Sequence, residues 1–168
     1  MLDCGTGTGA LLLAVLSQLE DAHGTGVDRS PQALGIARHN VEALGFADRV
    51  TLALADWERP GWSDALGGPF DLVLANPPYV ETTAQLEPSV RRYEPEGALF
   101  AGPEGLDAYR VLIPQIPGLL CAGGVAIVEI GASQASAVSH LAEQAGLTAT
   151  LFYDGAQRPR ALRLIDCG

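Results

Sequence analysis

Short apolar runs alternate along this chain with stretches in which apolar residues recur every three or four positions. The first kind predicts strands and the second helices, and their alternation predicts an α/β sheet covered on both faces. "GALLLAVLSQLE" predicts a helix with Leu12, Leu16 and Leu19 on one stripe. "TGVD" ends a short strand, and "RSPQALGIARHNVEALG" predicts a well-marked helix. There Ser30 caps, Pro31 suits the first turn, Ala33, Leu34, Ala37, Val41 and Leu44 form the buried stripe, and Gly45 closes the end in a left-handed conformation. Strands follow at "VTLALA" and "FDLVLA". A polar stretch from Glu81 to Gly105, with five acidic residues and three prolines, precedes the segment from Leu106 to Leu120. A connection of that length inside an α/β unit is usually functional or mobile. Pro114 and Pro117 should keep the next helix short, bent or interrupted. The chain finishes with strand "GVAIVEI", helix "SQASAVSHLAEQAG" and strands "LTATLFYD" and "RALRLID". Only "GAQRP" separates the last two, so they should pair antiparallel, an ending that a purely parallel dinucleotide fold does not need.

Length and composition narrow the picture. With 168 residues, 48% of them hydrophobic, the chain supports one core, and residues 1–168 are expected to form one catalytic unit without internal repeats. Twenty acidic residues against ten Lys and Arg give a net charge of -10, which opposes long-range attraction to nucleic acid or an anionic membrane. Neither is expected as a partner, although a local basic patch would be compatible with this balance. Cys4, Cys121 and Cys167 are odd in number and lack metal-ligand spacing, so core or near-core thiols and no metal are expected. No apolar run reaches 18 residues and the opening lacks the basic segment of a signal peptide, which makes the cytoplasm the simplest compartment.

Candidate chemistry begins at "LDCGTGTGA", which places Asp3 at a strand end and Gly5, Gly7 and Gly9 before a helix. Glycines let the backbone turn tightly and bring amides or bare Cα atoms against a ligand. Gly5, Gly7 and Ala10 also satisfy a dinucleotide spacing, so the loop alone fits a nucleotide or an adenosylmethionine cofactor. Asp28, 25 residues after Asp3, resolves part of this: a carboxylate at the next strand end can accept both hydroxyls of a ribose. Asp56 and Trp57, after the third strand, could supply an acceptor for an adenine amino group and an aromatic wall, with ordinary packing as the alternative for Trp57. All three strand ends point to one crevice.

"LANPPYV" ends the fourth strand in a stiff, extended corner, because proline donates no backbone hydrogen bond and tandem prolines resist helix. The carbonyls of Asn76 and Pro77 are left to point outward, Asn76 adds a side-chain acceptor, and Tyr79 adds a ring that can lie over a planar group. Two acceptors beside an aromatic face suit a planar amino group, as in a carboxamide or an exocyclic base amine. Such a nitrogen is a poor nucleophile, so holding it in line with an activated methyl is the plausible source of rate.

Together with "GVDRSPQALGIARHN", "RYEPEGALFAGPEGLDAYR", "VEIG" with the following Gln134, and "AQRPRAL", these motifs resemble the release factor glutamine methyltransferases, the HemK/PrmC family. "NPPY" is shared with adenine methyltransferases and the glycine motif with most class I enzymes; the stretch from Arg92 to Arg110 is the specific part. The resemblance implies a class I S-adenosylmethionine-dependent methyltransferase fold, Rossmann-like, with a mostly parallel sheet and a C-terminal antiparallel hairpin. It implies methyl transfer from S-adenosylmethionine to the side-chain amide of the glutamine in the Gly-Gly-Gln motif of peptide chain release factors. Asp3, Gly5, Gly7, Gly9, Asp28, Asp56, Trp57 and Asn76 would then border the cofactor. Asn76, Pro77 and Tyr79 would hold the glutamine amide, while Glu94 and Arg110 would fix the polar segment rather than react. The family also carries an N-terminal helical domain ahead of the glycine strand. Here only Met1, Leu2 and Asp3 represent that strand, a truncated one expected between the second and fourth.

Other readings use parts of the same pattern. Methylation of an adenine amino group would use the same corner but normally needs a basic groove and a base-gripping domain. A small-molecule or other protein substrate fits the cofactor motifs, and a nicotinamide-dependent oxidoreductase fits the glycine spacing but leaves "NPPY" unexplained. A non-catalytic scaffold need not bind S-adenosylmethionine, so calorimetry separates it from the enzymes.

Overall fold

The computed structural model describes residues 1–82 and 100–166; Glu94 and Cys167 lie outside the described residues. Its strands are β1 (Leu2–Cys4), β2 (Gly24–Asp28), β3 (Val50–Leu54), β4 (Phe70–Ala75), β5 (Leu120–Glu129), β6 (Leu147–Tyr153) and β7 (Pro159–Asp166). They form one sheet in the order β3-β2-β1-β4-β5-β7-β6. The first five in that order run parallel, β7 is antiparallel to β5, and β6 pairs antiparallel with β7. The closing pair is thus the expected hairpin, with its second strand against the parallel part of the sheet. β1 has three residues and lies between β2 and β4, the central position expected for it.

Helix α1 (Ala10–Leu16) is shorter than its apolar period predicts. Leu12, Leu13 and Leu16 are buried, but Leu19 is exposed. Beyond Leu16 the carbonyls of Leu19 and Glu20 turn to the Arg49 guanidinium, at 2.8 and 2.7 Å, and that bonding replaces another helical turn. Helix α2 (Pro31–Ala43) starts as its residues dictate, with Ser30 Oγ accepting from the Ala33 amide at 3.2 Å. Leu34, Ala37 and Val41 form its buried stripe, whereas Leu44 is exposed. The chain leaves the helix there, and the Phe46 amide bonds back to the Val41 carbonyl at 2.9 Å across Gly45.

Pro114 and Pro117 divide the next segment into α3 (Asp107–Leu112), a 3-10 turn (Ile113–Gln115) and α4 (Ile116–Leu119). That broken rod still buries Tyr109, Leu112, Ile113 and Ile116, and α5 (Ala135–Gln144) adds Val138 and Ala142. These side chains share one apolar cluster with Leu2, Cys4, Val73, Ala75, Ala126, Val128, Leu162 and Leu164 of the sheet. Removing this much apolar surface from water is the main force holding the strand ends, and therefore the loops after them, in register.

Candidate active site at the carboxyl ends of the strands

The turns after β1, β2, β3 and β4 open on one cleft of about 990 Å³. Gly5, Gly7, Asp28, Asp56, Trp57 and Asn76 line it, so six of the residues singled out in the sequence meet there. The opposite wall comes from Phe100, Ala101, Gly102 and the α3 residues Asp107, Ala108 and Val111. Phe100, Ala101 and Gly102 belong to the polar connection from Glu81 to Gly105, whose length marks it in the sequence as functional or mobile, whereas nothing in the sequence pattern announces the part that α3 takes in this wall.

The glycine turn is braced from within. The amides of Gly5 and Thr6 both donate to the Val27 carbonyl, at 2.9 and 2.8 Å, and the Gly7 amide donates to Asp28 Oδ2 at 2.9 Å. What this turn offers a ligand is therefore close approach more than those amides. Gly5 has φ of 73°, and a Cβ there would lie 3.0 Å from the Trp57 ring. Trp57 is held in turn through its carbonyl, which accepts from Gln115 Nε2 at 3.1 Å, while Gln115 Oε1 accepts from Trp62 Nε1 at 2.6 Å.

Asp28 Oδ1 accepts from the Ser30 amide at 2.8 Å. Each carboxylate oxygen thus takes one backbone bond and keeps lone-pair capacity toward the cleft. Asp56 is similarly oriented, its Oδ1 accepting from the Glu58 amide at 3.1 Å.

Asp3, Gly9, Pro77 and Tyr79 do not line the cleft. Asp3 is 1% exposed and accepts a 2.7 Å bond from the Thr6 hydroxyl, so it reaches the cleft only through the turn it braces. Burial pushes its carboxyl up to about 6, with the Thr6 bond opposing the rise. Gly9 faces α2, where a Cβ would lie 3.5 Å from that of Ala37. Pro77 is buried, and Pro78 rather than Pro77 lines the cleft. The Tyr79 hydroxyl accepts from Arg160 Nη1 at 3.4 Å, and Arg160 Nη2 pairs with Glu129 at 2.9 Å. Arg110 joins Glu104 and, at 3.0 Å, Asp107, fastening the loop to the start of α3. Asn76 differs from these braced residues: it is exposed, and its side chain has no hydrogen bond to the described residues. Among the described residues no group of His, Cys, Asp and Glu gathers as metal ligands, and no helix is long and apolar enough to cross a membrane.

Comparison with known proteins agrees with this geometry. A release factor glutamine methyltransferase of Rhodospirillum rubrum is 45% identical over 149 residues, covering 88% of this chain and 44% of the relative. Another from Caulobacter vibrioides is 47% identical over 150 residues, covering 88% of this chain and 50% of the relative. The chain thus spans about half the length of the curated relatives it matches. Among solved structures, a ribosomal protein L11 methylase from Lactobacillus delbrueckii superposes with a TM-score of 0.69 at 20% identity, over 98% of this chain and 68% of its own. The O-methyltransferase NcsB1, solved in complex with S-adenosylmethionine, gives 0.66 at 17% identity over 98% of this chain and 48% of its own. These likenesses establish the class I methyltransferase fold, Rossmann-like with its antiparallel C-terminal hairpin. The family described as "Methyltransferase domain" matches residues 1–101, which hold the glycine turn, Asp28, Trp57 and the asparagine corner, and the chain belongs to that family.

Proposed function

We propose that residues 1–168 are the catalytic unit of an S-adenosylmethionine-dependent methyltransferase acting on the glutamine side-chain amide of the Gly-Gly-Gln motif in peptide chain release factors. The observation that carries this is Asn76: an exposed acceptor without a hydrogen-bond partner among the described residues, in a cleft where Asp28 and Asp56 are braced from behind. The named activity of the curated relatives supports the same reading.

The residues present fit the cofactor. A Cβ on Gly5 would meet the Trp57 ring, so the bare glycine lets that ring lie against the turn, and the two line the cleft side by side. Asp28 would take the ribose hydroxyls, and Asp56 and Trp57 would border the adenine. Gly5 and Gly7 would lie under the methionine part, with Asp3 and Gly9 shaping that turn from behind. When bound, S-adenosylmethionine would supply an activated methyl group, with its sulfur as leaving group, and the amide nitrogen that takes the methyl would shed a proton to solvent.

The chain's own residues orient the nucleophile. The Asn76 side-chain oxygen and the Pro77 carbonyl would accept the two amide protons, fixing the nitrogen's plane and drawing charge toward it. Tyr79, steadied by Arg160, would limit how that plane tilts. No general base is required, because an alkylated amide nitrogen is strongly acidic. Release factors are the partners on this reading, and the reaction belongs in the cytoplasm, where they work.

The test is mass spectrometry of a release factor incubated with this protein and methyl-labelled cofactor. Label on the Gly-Gly-Gln glutamine is expected. Label instead on an adenine oligonucleotide would move the substrate to nucleic acid, and absence of cofactor binding by calorimetry would leave a scaffold.

A further inference from the structure

Gln134 is 7% exposed, yet every polar atom of its side chain is used. Its Oε1 accepts from the Gly131 amide at 3.0 Å, and its Nε2 donates to the carbonyls of Tyr79 at 3.0 Å and Gly105 at 3.1 Å. The Glu104 carbonyl stands at 3.5 Å from the same nitrogen. Carbonyls on one side and an N–H on the other leave a single sensible orientation for the amide.

Three segments meet at this side chain: the corner after β4, the loop leading into α3, and the exit of β5. The neighbours are cut to fit it. A Cβ on Gly105, whose φ is 67°, would fall 2.3 Å from the Tyr79 carbonyl oxygen and 2.6 Å from Gln134 Nε2. One on Gly131 would fall 2.8 Å from Gln134 Oε1. Next to this junction the two loops also bond directly, through Ala101 N to the Val80 carbonyl at 2.9 Å and Thr82 N to the Gly102 carbonyl at 3.0 Å. The corner that carries Asn76 and the wall formed by Phe100, Ala101 and Gly102 are thereby locked together.

We infer that Gln134 is a positioning residue for methyl transfer: by donating to Tyr79 and Gly105 it turns the Tyr79 carbonyl away from the cleft and fixes the corner from which Asn76 and Pro77 meet the substrate amide. Without those donors the half-buried Tyr79 carbonyl seeks another partner, and a small rotation of the corner is enough to spoil alignment. The inference rests on the proposed reaction for its kinetic consequence, while its structural half stands independently.

Two variants separate the halves of the side chain. Gln134→Met removes both polar ends at similar length. Gln134→Glu keeps an acceptor for the Gly131 amide but sets oxygen against the two carbonyls. Amide hydrogen exchange at Thr82 and Ala101, and single-turnover transfer at saturating release factor and cofactor, are the readouts. Both variants should exchange at least several-fold faster at Thr82 and Ala101, with the amides of β2 unchanged. Transfer at saturation should slow by on the order of tenfold or more, with cofactor affinity within about threefold. Wild-type exchange and transfer in Gln134→Glu would overturn the inference, because the Gly131 bond alone would then account for the residue. Unchanged exchange in either folded variant would do the same. A wild-type protein that methylates no release factor would instead sink the substrate reading, and the exchange data would still decide the lock.

Discussion

The two ends of the cleft are built on opposite plans. At the glycine turn the polar groups are already partnered: Gly5 and Thr6 on Val27, Gly7 and Ser30 on Asp28, Thr6 on Asp3. At the corner after β4 the scaffold is bonded through the Tyr79 carbonyl and Val80, but the Asn76 side chain bonds to none of the described residues. A surface that must hold the same ligand in every cycle gains from being rigid before binding, since less freedom is lost on binding. An acceptor that must act on a reacting nitrogen gains from having no internal competitor. On the proposed reaction, the difference would give cofactor binding to the first end and alignment of the nucleophile to the second.

That division breaks most visibly at Asn76. Asn76→Ala should cut single-turnover transfer by on the order of a hundredfold, as for one positioned hydrogen bond lost at the transition state, with cofactor affinity barely changed. Near wild-type transfer would remove the residue from the mechanism. Asp28→Ala should show the reverse pattern in a calorimetric titration. Loss of charge-assisted bonds costs on the order of 1.5 kcal/mol or more, about a tenfold weaker dissociation constant, and the turn loses the acceptor of its Gly7 amide as well. A constant within about twofold of wild type, in a folded protein, would contradict the ribose assignment.

Much of the geometry at the glycine-turn end was legible in the sequence, because its signals are local: a glycine run at a strand end, an acid at the next, a cap at Ser30. The corner was legible for the same reason, since tandem prolines dictate their own geometry. What could not be read depends on contacts far apart in the chain. Gln134 reaches Tyr79 across 55 positions, and Gln115 reaches Trp57 across 58. No periodicity announces such pairs, and Gln134 carried meaning only as part of a family-like motif. Leu19 and Leu44 were misplaced because a helical stripe says which residues share a face but not where the helix stops. Arg49 and Gly45 decide that.

Gly5 sharpens the comparison from the binding side. Gly5→Ala places a methyl about 3.0 Å from the Trp57 ring and forces an L-residue to φ near 73°. The left-handed conformation alone costs about 1 kcal/mol, and the ring must shift. Cofactor affinity should fall by several-fold and the thermal midpoint by a few degrees, whereas transfer at saturating cofactor should stay within about threefold of wild type. A selective loss of that saturated rate would mean that the two ends are not separable.

The smallest effect is expected behind the glycine turn, at Asp3, where bracing has an electrostatic cost. Burial holds this carboxyl at about 6, against 3.8 for an exposed aspartate. Below the lower value it is protonated in both folded and unfolded chains and costs nothing. As pH rises from near 4 through 6 the unfolded chain releases the proton first, so the folded protein loses stability over that interval; above it the loss is complete and constant. The difference between the two values caps the loss at roughly 3 kcal/mol, and relaxation around the site reduces it. Asn at this position retains an acceptor for the Thr6 hydroxyl and has no proton to lose. Asp3→Asn should therefore match wild type near pH 4 and melt a few degrees higher at pH 7, a gain on the order of 1 kcal/mol. If the negative charge also helps to hold a cationic cofactor through the turn, the same variant will bind S-adenosylmethionine more weakly while its uncharged analogues bind as before. A melting difference that is the same at both pH values would show that Asp3 is not the group whose ionisation opposes folding.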